Sequence, residues 1–135
     1  MSPHDQGAVE IKTEPDIAMA RRAVRDVASK LGFGITETAR IVTAASELGR
    51  NVHKYAGGGV MRWRFLTKDQ ITGLELRFED HGPGIPDITA ALREGHTTGG
   101  GLGMGLPGAK RLMDEMEIQS SVGQGTTVTV RKWRR

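Results

Sequence analysis

Short runs of alternating apolar and polar residues flank two long runs with helical spacing. Ala8-Val9-Glu10-Ile11-Lys12 alternates, which predicts a first strand with Val9 and Ile11 turned inward. Thr13 follows as the N-cap of a helix, with Pro15 in its first turn and Asp16 in the acidic position of a capping box. Ile17, Ala20, Val24, Val27, Ala28 and Leu31 make one stripe along that helix, and Gly32 and Gly34 end it. Thr36 is the expected cap of a second helix reaching about Ala56, with Ile41, Ala45, Leu48, Val52 and Tyr55 as its buried stripe. Gly57-Gly58-Gly59 breaks the chain. Met61, Trp63 and Phe65, then Leu74, Leu76 and Phe78, form the apolar sets of an antiparallel hairpin turning at Lys68-Asp69-Gln70. A short helix fits over Pro86 to Arg93, and another is expected from Leu106 to about Met116. A closing hairpin, Glu117 to Val122 and Thr126 to Trp133, turns at Gly123-Gln124-Gly125.

The order β-α-α-β-β-(glycine-rich)-α-β-β holds too few βαβ units for a doubly wound parallel sheet. It predicts an α+β two-layer sandwich, a mostly antiparallel sheet with helices packed on one face. At 135 residues the chain suits one domain, 1–135.

Composition adds three constraints. Cysteine is absent, which excludes disulfides, thiolate metal sites and a cysteine nucleophile. The segment from Met1 to Val9 lacks the basic and apolar regions of a secretory signal, and no run approaches the ~18–20 apolar residues that span a bilayer. The expectation is a cytoplasmic protein with no membrane contact. The net charge is +3, and part of it lies in Arg131-Lys132-Trp133-Arg134-Arg135. That run is read as a solvated basic end after the last strand, not as a nucleic-acid patch, because one aromatic makes no stacking platform.

Glycine is the outlier. Of 19 glycines, nine lie between Gly82 and Gly108, a density that needs either a linker or a ligand held close to backbone. Four segments are candidates for chemistry. Glu47, Asn51 and Lys54 share a face of the second helix at i, i+4 and i+7; alone they read as a solvated face. Asp80-His81-Gly82-Pro83-Gly84 follows a strand and offers a carboxylate beside flexible backbone; alone it reads as a turn. Gly99-Gly100-Gly101-Leu102-Gly103-Met104-Gly105 opens a helix, where backbone N–H groups bind phosphate. Gly103, Gly105 and Gly108 spell G-x-G-x-x-G but follow no strand of a βαβ unit, and the Gly-Lys-Ser/Thr ending of a P-loop is missing. Gly123-Gln124-Gly125-Thr126 by itself is a hairpin turn. His4, His53, His81 and His96 fall in no metal-ligand spacing and are read as structural or solvent-facing.

In this order the four segments resemble the N, G1, G2 and G3 boxes of the GHKL (Bergerat-fold) superfamily, from about Val9 to Trp133. Ser46-Glu47-Leu48 with Asn51 and Tyr55-Ala56-Gly57, the run from Glu79 to Ile88, and Gly100 to Glu115 resemble more narrowly the RsbT-like serine/threonine kinases of the anti-sigma-factor kinase family. The resemblance implies ATP and Mg²⁺, with Asn51 on the metal and Asp80 accepting a hydrogen bond from the adenine amino group. It implies Thr126 supporting Asp80 or the ring, and Gly82 and Gly84 letting the base approach the backbone. Gly99, Gly100, Gly101, Leu102, Gly103, Met104 and Gly105 would wrap the phosphates within a lid from Asp87 to Gly105, and Lys54 would add a phosphate contact. Glu47 would be the general base for an incoming serine hydroxyl. The partners implied are a STAS-domain substrate (RsbS-like), an RsbR-like scaffold of a stressosome and a PPM-type phosphatase (RsbU-like). The rival is an anti-sigma factor of RsbW or SpoIIAB type that sequesters a sigma factor. A binding-only nucleotide switch and the ATPase half of a sensor histidine kinase rank behind it.

Overall fold

A computed structural model of the chain describes residues 5–85 and 106–134. The elements run β1 (Gln6–Ile11), α1 (Glu14–Lys30), α2 (Ile35–Ala56), β2 (Gly59–Lys68), β3 (Ile71–Asp80), α3 (Leu106–Leu112), β4 (Glu115–Ser121) and β5 (Gly125–Trp133). The strands form one antiparallel sheet in the order β1-β2-β3-β5-β4. Helices cover one face, as the α+β sandwich predicts. The expected helix over Pro86 to Arg93 lies outside the described residues.

The core is aliphatic and lies where the periodicity places it. Ile17, Ala20, Val24 and Val27 of α1 and Ile41, Ala45, Leu48 and Val52 of α2 close on Ile11, Met61, Leu74, Leu76, Phe78, Val128 and Val130 of the sheet. Asp16 holds the start of α1 by accepting the backbone N–H groups of Lys12 (2.9 Å) and Thr13 (3.0 Å). Those bonds, Lys12 first and then Thr13, hold the Asp16 carboxyl below its ordinary range. α2 starts earlier than expected: Gly34 is its N-cap, and Thr36 is already inside the first turn. Gly57, left-handed at φ +77°, ends it. The β2–β3 turn is two residues, Asp69 and Gln70, both left-handed (φ 52° and 67°), the backbone that matches strand twist in a tight hairpin.

Two further expectations fail. The third helix ends at Leu112 and not near Met116, because β4 begins at Glu115 and the Asp114 N–H already bonds the Arg131 carbonyl of β5. Met116 still meets the core, but from a strand. The closing basic run is also not a solvated tail. Lys132 is buried, and its Nζ donates to the Leu112 carbonyl (3.0 Å) and pairs with Glu37 (3.0 Å) and Asp114 (3.6 Å). It ties the end of α3 to the first turn of α2.

Arg131 lies on the opposite face, which none of the described helices covers. Glu75 there takes two bonds from Arg64 (2.7 and 3.2 Å) and one from Arg131 (2.9 Å), while Arg131 also reaches Glu115 and Glu117. Burial of Glu75 pushes its carboxyl up, but the Arg64 and Arg131 guanidiniums outweigh that and hold it below its ordinary value.

Candidate functional site

The sheet delivers Asp80 and Thr126 side by side: β3 pairs with β5 so that Asp80 lies opposite Thr126. α2 crosses above and supplies Leu48, Asn51, Val52, Tyr55 and Ala56 to the wall of a pocket. Phe78, Ile85, Leu106 and Val128 complete an apolar lining, with Asp80, Gly84 and Thr126 among its members. A mainly apolar pocket with few polar groups is the usual make-up of a small-molecule site.

Asp80 is held rigidly. Its Oδ1 accepts the backbone N–H of Gly82 (2.9 Å) and of Thr126 (3.1 Å), and none of the described residues bonds Oδ2. The carboxylate is thus fixed in orientation with one oxygen left to meet a donor.

The glycines here have a second purpose that spacing alone does not reveal. A Cβ on Gly82 would lie 2.6 Å from the Ala56 Cβ, and one on Gly84, at φ +78°, would lie 2.3 Å from the Ser121 carbonyl oxygen. At Gly125, φ +100°, it would lie 2.2 Å from the Asp80 carbonyl oxygen. The chain's own packing requires all three. Pro83 accepts the Gly123 N–H (2.8 Å), and Ser120 Oγ accepts the Ile85 N–H (2.7 Å), so the loop after β3 is bonded to the β4–β5 hairpin.

Of the other expected site residues, Glu47 lies one turn before Asn51, outside the pocket lining, and its Oε1 accepts the Arg50 guanidinium at 3.1 Å. Lys54 is exposed, with its Nζ 5.3 Å from the Tyr55 ring centre, and does not line the pocket. Gly99 to Gly105, with Leu102, Met104 and the expected lid, lies outside the described residues. Among the described residues no three of His, Cys, Asp and Glu gather as a metal site, and His81 is exposed. Among the described residues the buried Nδ1 of His53 has no hydrogen-bond partner. Sequence reasoning missed Ser120 and the apolar walls Phe78, Ile85 and Val128. Phe78 and Val128 were legible as inward strand positions; Ile85 lies in the loop after β3, and Ser120 carried no local signal.

Residues 10–132 match the family described as "Histidine kinase-like ATPase domain". Serine/threonine-protein kinase RsbT of Bacillus subtilis is 49% identical over 132 residues, covering 98% of this chain and 99% of that one. An anti-sigma F factor of Thermoanaerobacter sp. is 34% identical over 123 residues, covering 86% and 84%. The solved structure of the RsbU and RsbW domains of Rv1364c from Mycobacterium tuberculosis shares the fold at a TM-score of 0.63 and 19% identity, over 96% of this chain and 33% of that one. Among the described residues no helix is long and apolar enough to cross a membrane. A match over nearly the whole chain and almost half its residues identical to a single kinase leave one assignment: the chain belongs to the histidine kinase-like ATPase domain family, in its RsbT-like serine/threonine-protein kinase branch.

Proposed function

We propose that the chain uses ATP to phosphorylate a serine on a STAS-domain antagonist protein of a stressosome-type assembly with an RsbR-like scaffold. When released, it activates a PPM-type phosphatase. The observation that carries the nucleotide part is the Asp80 carboxylate, locked by two backbone amides beside Thr126 in an apolar slot roofed by α2. The similarity to a serine/threonine-protein kinase over the full chain supports the transfer part.

Phosphoryl transfer asks for alignment and charge neutralisation more than for covalent help from the protein. Asp80 accepts the adenine amino group, and Phe78, Ile85 and Val128 give the ring an apolar lining. Asn51 stands on the pocket wall, and its amide oxygen suits Mg²⁺, a hard cation that keeps most of its ligands as water and phosphate oxygen. Mg²⁺, when bound there, neutralises phosphate charge. Glu47, one turn from Asn51 on α2, takes the serine proton as the hydroxyl oxygen bonds the γ-phosphorus and the bond to ADP breaks. The Arg50 guanidinium occupies only Oε1 in the described geometry. Gly99 to Gly105, outside the described residues, are the proposed source of backbone N–H groups for the phosphates, and Lys54 contributes charge from the exposed side of α2.

The 34% likeness to an anti-sigma F factor favours a second reading, a kinase that also sequesters a sigma factor. Incubating the purified protein with Mg-ATP and STAS, phosphatase and sigma candidates separates the two. Phosphoserine on the STAS protein by mass spectrometry, with phosphatase and no sigma factor retained in pull-down, is the expected result. ATP turnover without any STAS phosphorylation overturns it.

A further inference from the structure

Behind Thr126, away from the pocket, stands Ser120 of β4, directly opposite it in the strand register. Its hydroxyl touches three groups: the Ile85 N–H (2.7 Å), the Gly125 carbonyl oxygen (3.1 Å) and the Thr126 hydroxyl (2.9 Å). A serine hydroxyl has one proton to give and two lone pairs to offer. The Ile85 N–H is only a donor, so it takes one lone pair. The Gly125 carbonyl is only an acceptor, so its bond uses the single proton. One lone pair remains, and the Thr126 hydroxyl completes the set by donating to it. This arrangement alone satisfies all three contacts at once.

The consequence falls on the pocket. Thr126 has then spent its own proton on Ser120 and can only accept from a ligand. Asp80 Oδ2, beside it, also only accepts. The pocket's polar edge therefore carries two acceptors and no side-chain donor from this pair. Where position 6 of a purine meets that edge, an amino group brings N–H donors, whereas an oxo group brings a carbonyl oxygen against acceptors. Missing or opposed hydrogen bonds at a built polar site discriminate strongly.

We infer that Ser120 is a specificity-determining positioning residue, which locks the Thr126 hydroxyl as an acceptor and so makes the pocket favour 6-amino over 6-oxo purine nucleotides. The inference rests on the adenine assignment of Asp80. Without Ser120 the Thr126 hydroxyl is free to turn its proton into the pocket and meet a 6-oxo group.

Calorimetric titration of ADP and IDP, which differ at position 6 of the purine ring, tests this. The wild type should bind ADP more tightly, and Ser120→Ala should narrow the IDP/ADP ratio of Kd values by about five- to tenfold, the scale of one hydrogen bond. Ser120→Thr, which keeps the hydroxyl, should retain the wild-type ratio. In a Thr126→Val background Ser120→Ala should leave the ratio unchanged, because its effect passes through the Thr126 hydroxyl. Equal weakening of both nucleotides by Ser120→Ala, with the ratio intact, would show a merely structural serine and overturn the inference. Should Ser120→Ala not fold, a Thr126→Val ratio equal to the wild type's would overturn it equally well. Asp80→Asn in the same titration separates the two levels: if it leaves ADP binding untouched the adenine reading fails, and if it weakens ADP while Ser120→Ala moves no ratio, only this inference fails.

Discussion

Asparagine in place of Asp80 changes the ligand-facing atom and almost nothing else. Both internal bonds of Asp80 end on Oδ1, from the Gly82 and Thr126 amides. An asparagine keeps a carbonyl oxygen there and still accepts both. Its amino group then occupies the place of Oδ2, so an acceptor becomes a donor and meets the donor face of the adenine amino group. A hydrogen bond to a charged group contributes about 1.5–3 kcal/mol, or roughly ten- to a hundredfold in Kd, and the donor–donor clash adds to the loss. Asp80→Ala removes the internal acceptor as well, leaving two amides without a partner at about 1–3 kcal/mol each where burial is complete, less here because the site is part-open. Asp80→Asn should therefore lose ADP affinity while melting within a degree or two of the wild type without nucleotide. Asp80→Ala should lose both affinity and melting temperature. Calorimetry and thermal denaturation of the two variants read this directly. Unaltered affinity in Asp80→Asn, or an equal fall in melting temperature for both, would refute the geometry.

Three further outcomes are expected. Glu47→Gln should keep ATP affinity and lower phosphotransfer by about 10²–10⁴-fold, the range for a lost general base; radiolabel transfer at the wild-type rate removes Glu47 from that role. Glu75 has a folded-state pKa below its unfolded value, so its stabilisation is full above about pH 4.3 and disappears as the pH falls through the lowered folded value. Urea midpoints between pH 6 and pH 3 should fall less for Glu75→Gln than for wild type, and parallel curves would contradict this. Gln70→Gly should stabilise the fold by about 1 kcal/mol, since Gln70 sits at φ 67° where a side chain is strained; an unchanged denaturation midpoint would argue against strain at that turn.

The sheet, the two long helices and the core were legible because each rests on local periodicity. Val24, Leu48, Leu76 and Phe78 lie inside, as their stripes require. Asn51, Asp80 and Thr126 were legible as a set through the order of four short motifs, and the fold brings all three to one pocket. What the sequence hid depends on contacts between distant residues. Lys132 reads as a surface charge by type, yet strand alternation turns it inward, where Glu37, 95 positions earlier, receives it. Thr36 looks like a cap, but Gly34 occupies that place because the preceding turn ends two residues sooner. A serine in a strand has no signature, so the contacts of Ser120 with Ile85 and Thr126 became visible only once the hairpin and the loop were juxtaposed.

Gly84 and Gly125 are inlaid between backbones that leave no room for a methyl group. An activity-only scan of this protein would rank both among nucleotide contacts, since any side chain there would abolish binding by wedging the β4–β5 hairpin away from Asp80. Melting curves taken beside the activities would sort such joints from the residues that ATP itself touches, and many glycines credited to ligand recognition in comparable pockets are open to the same re-sorting.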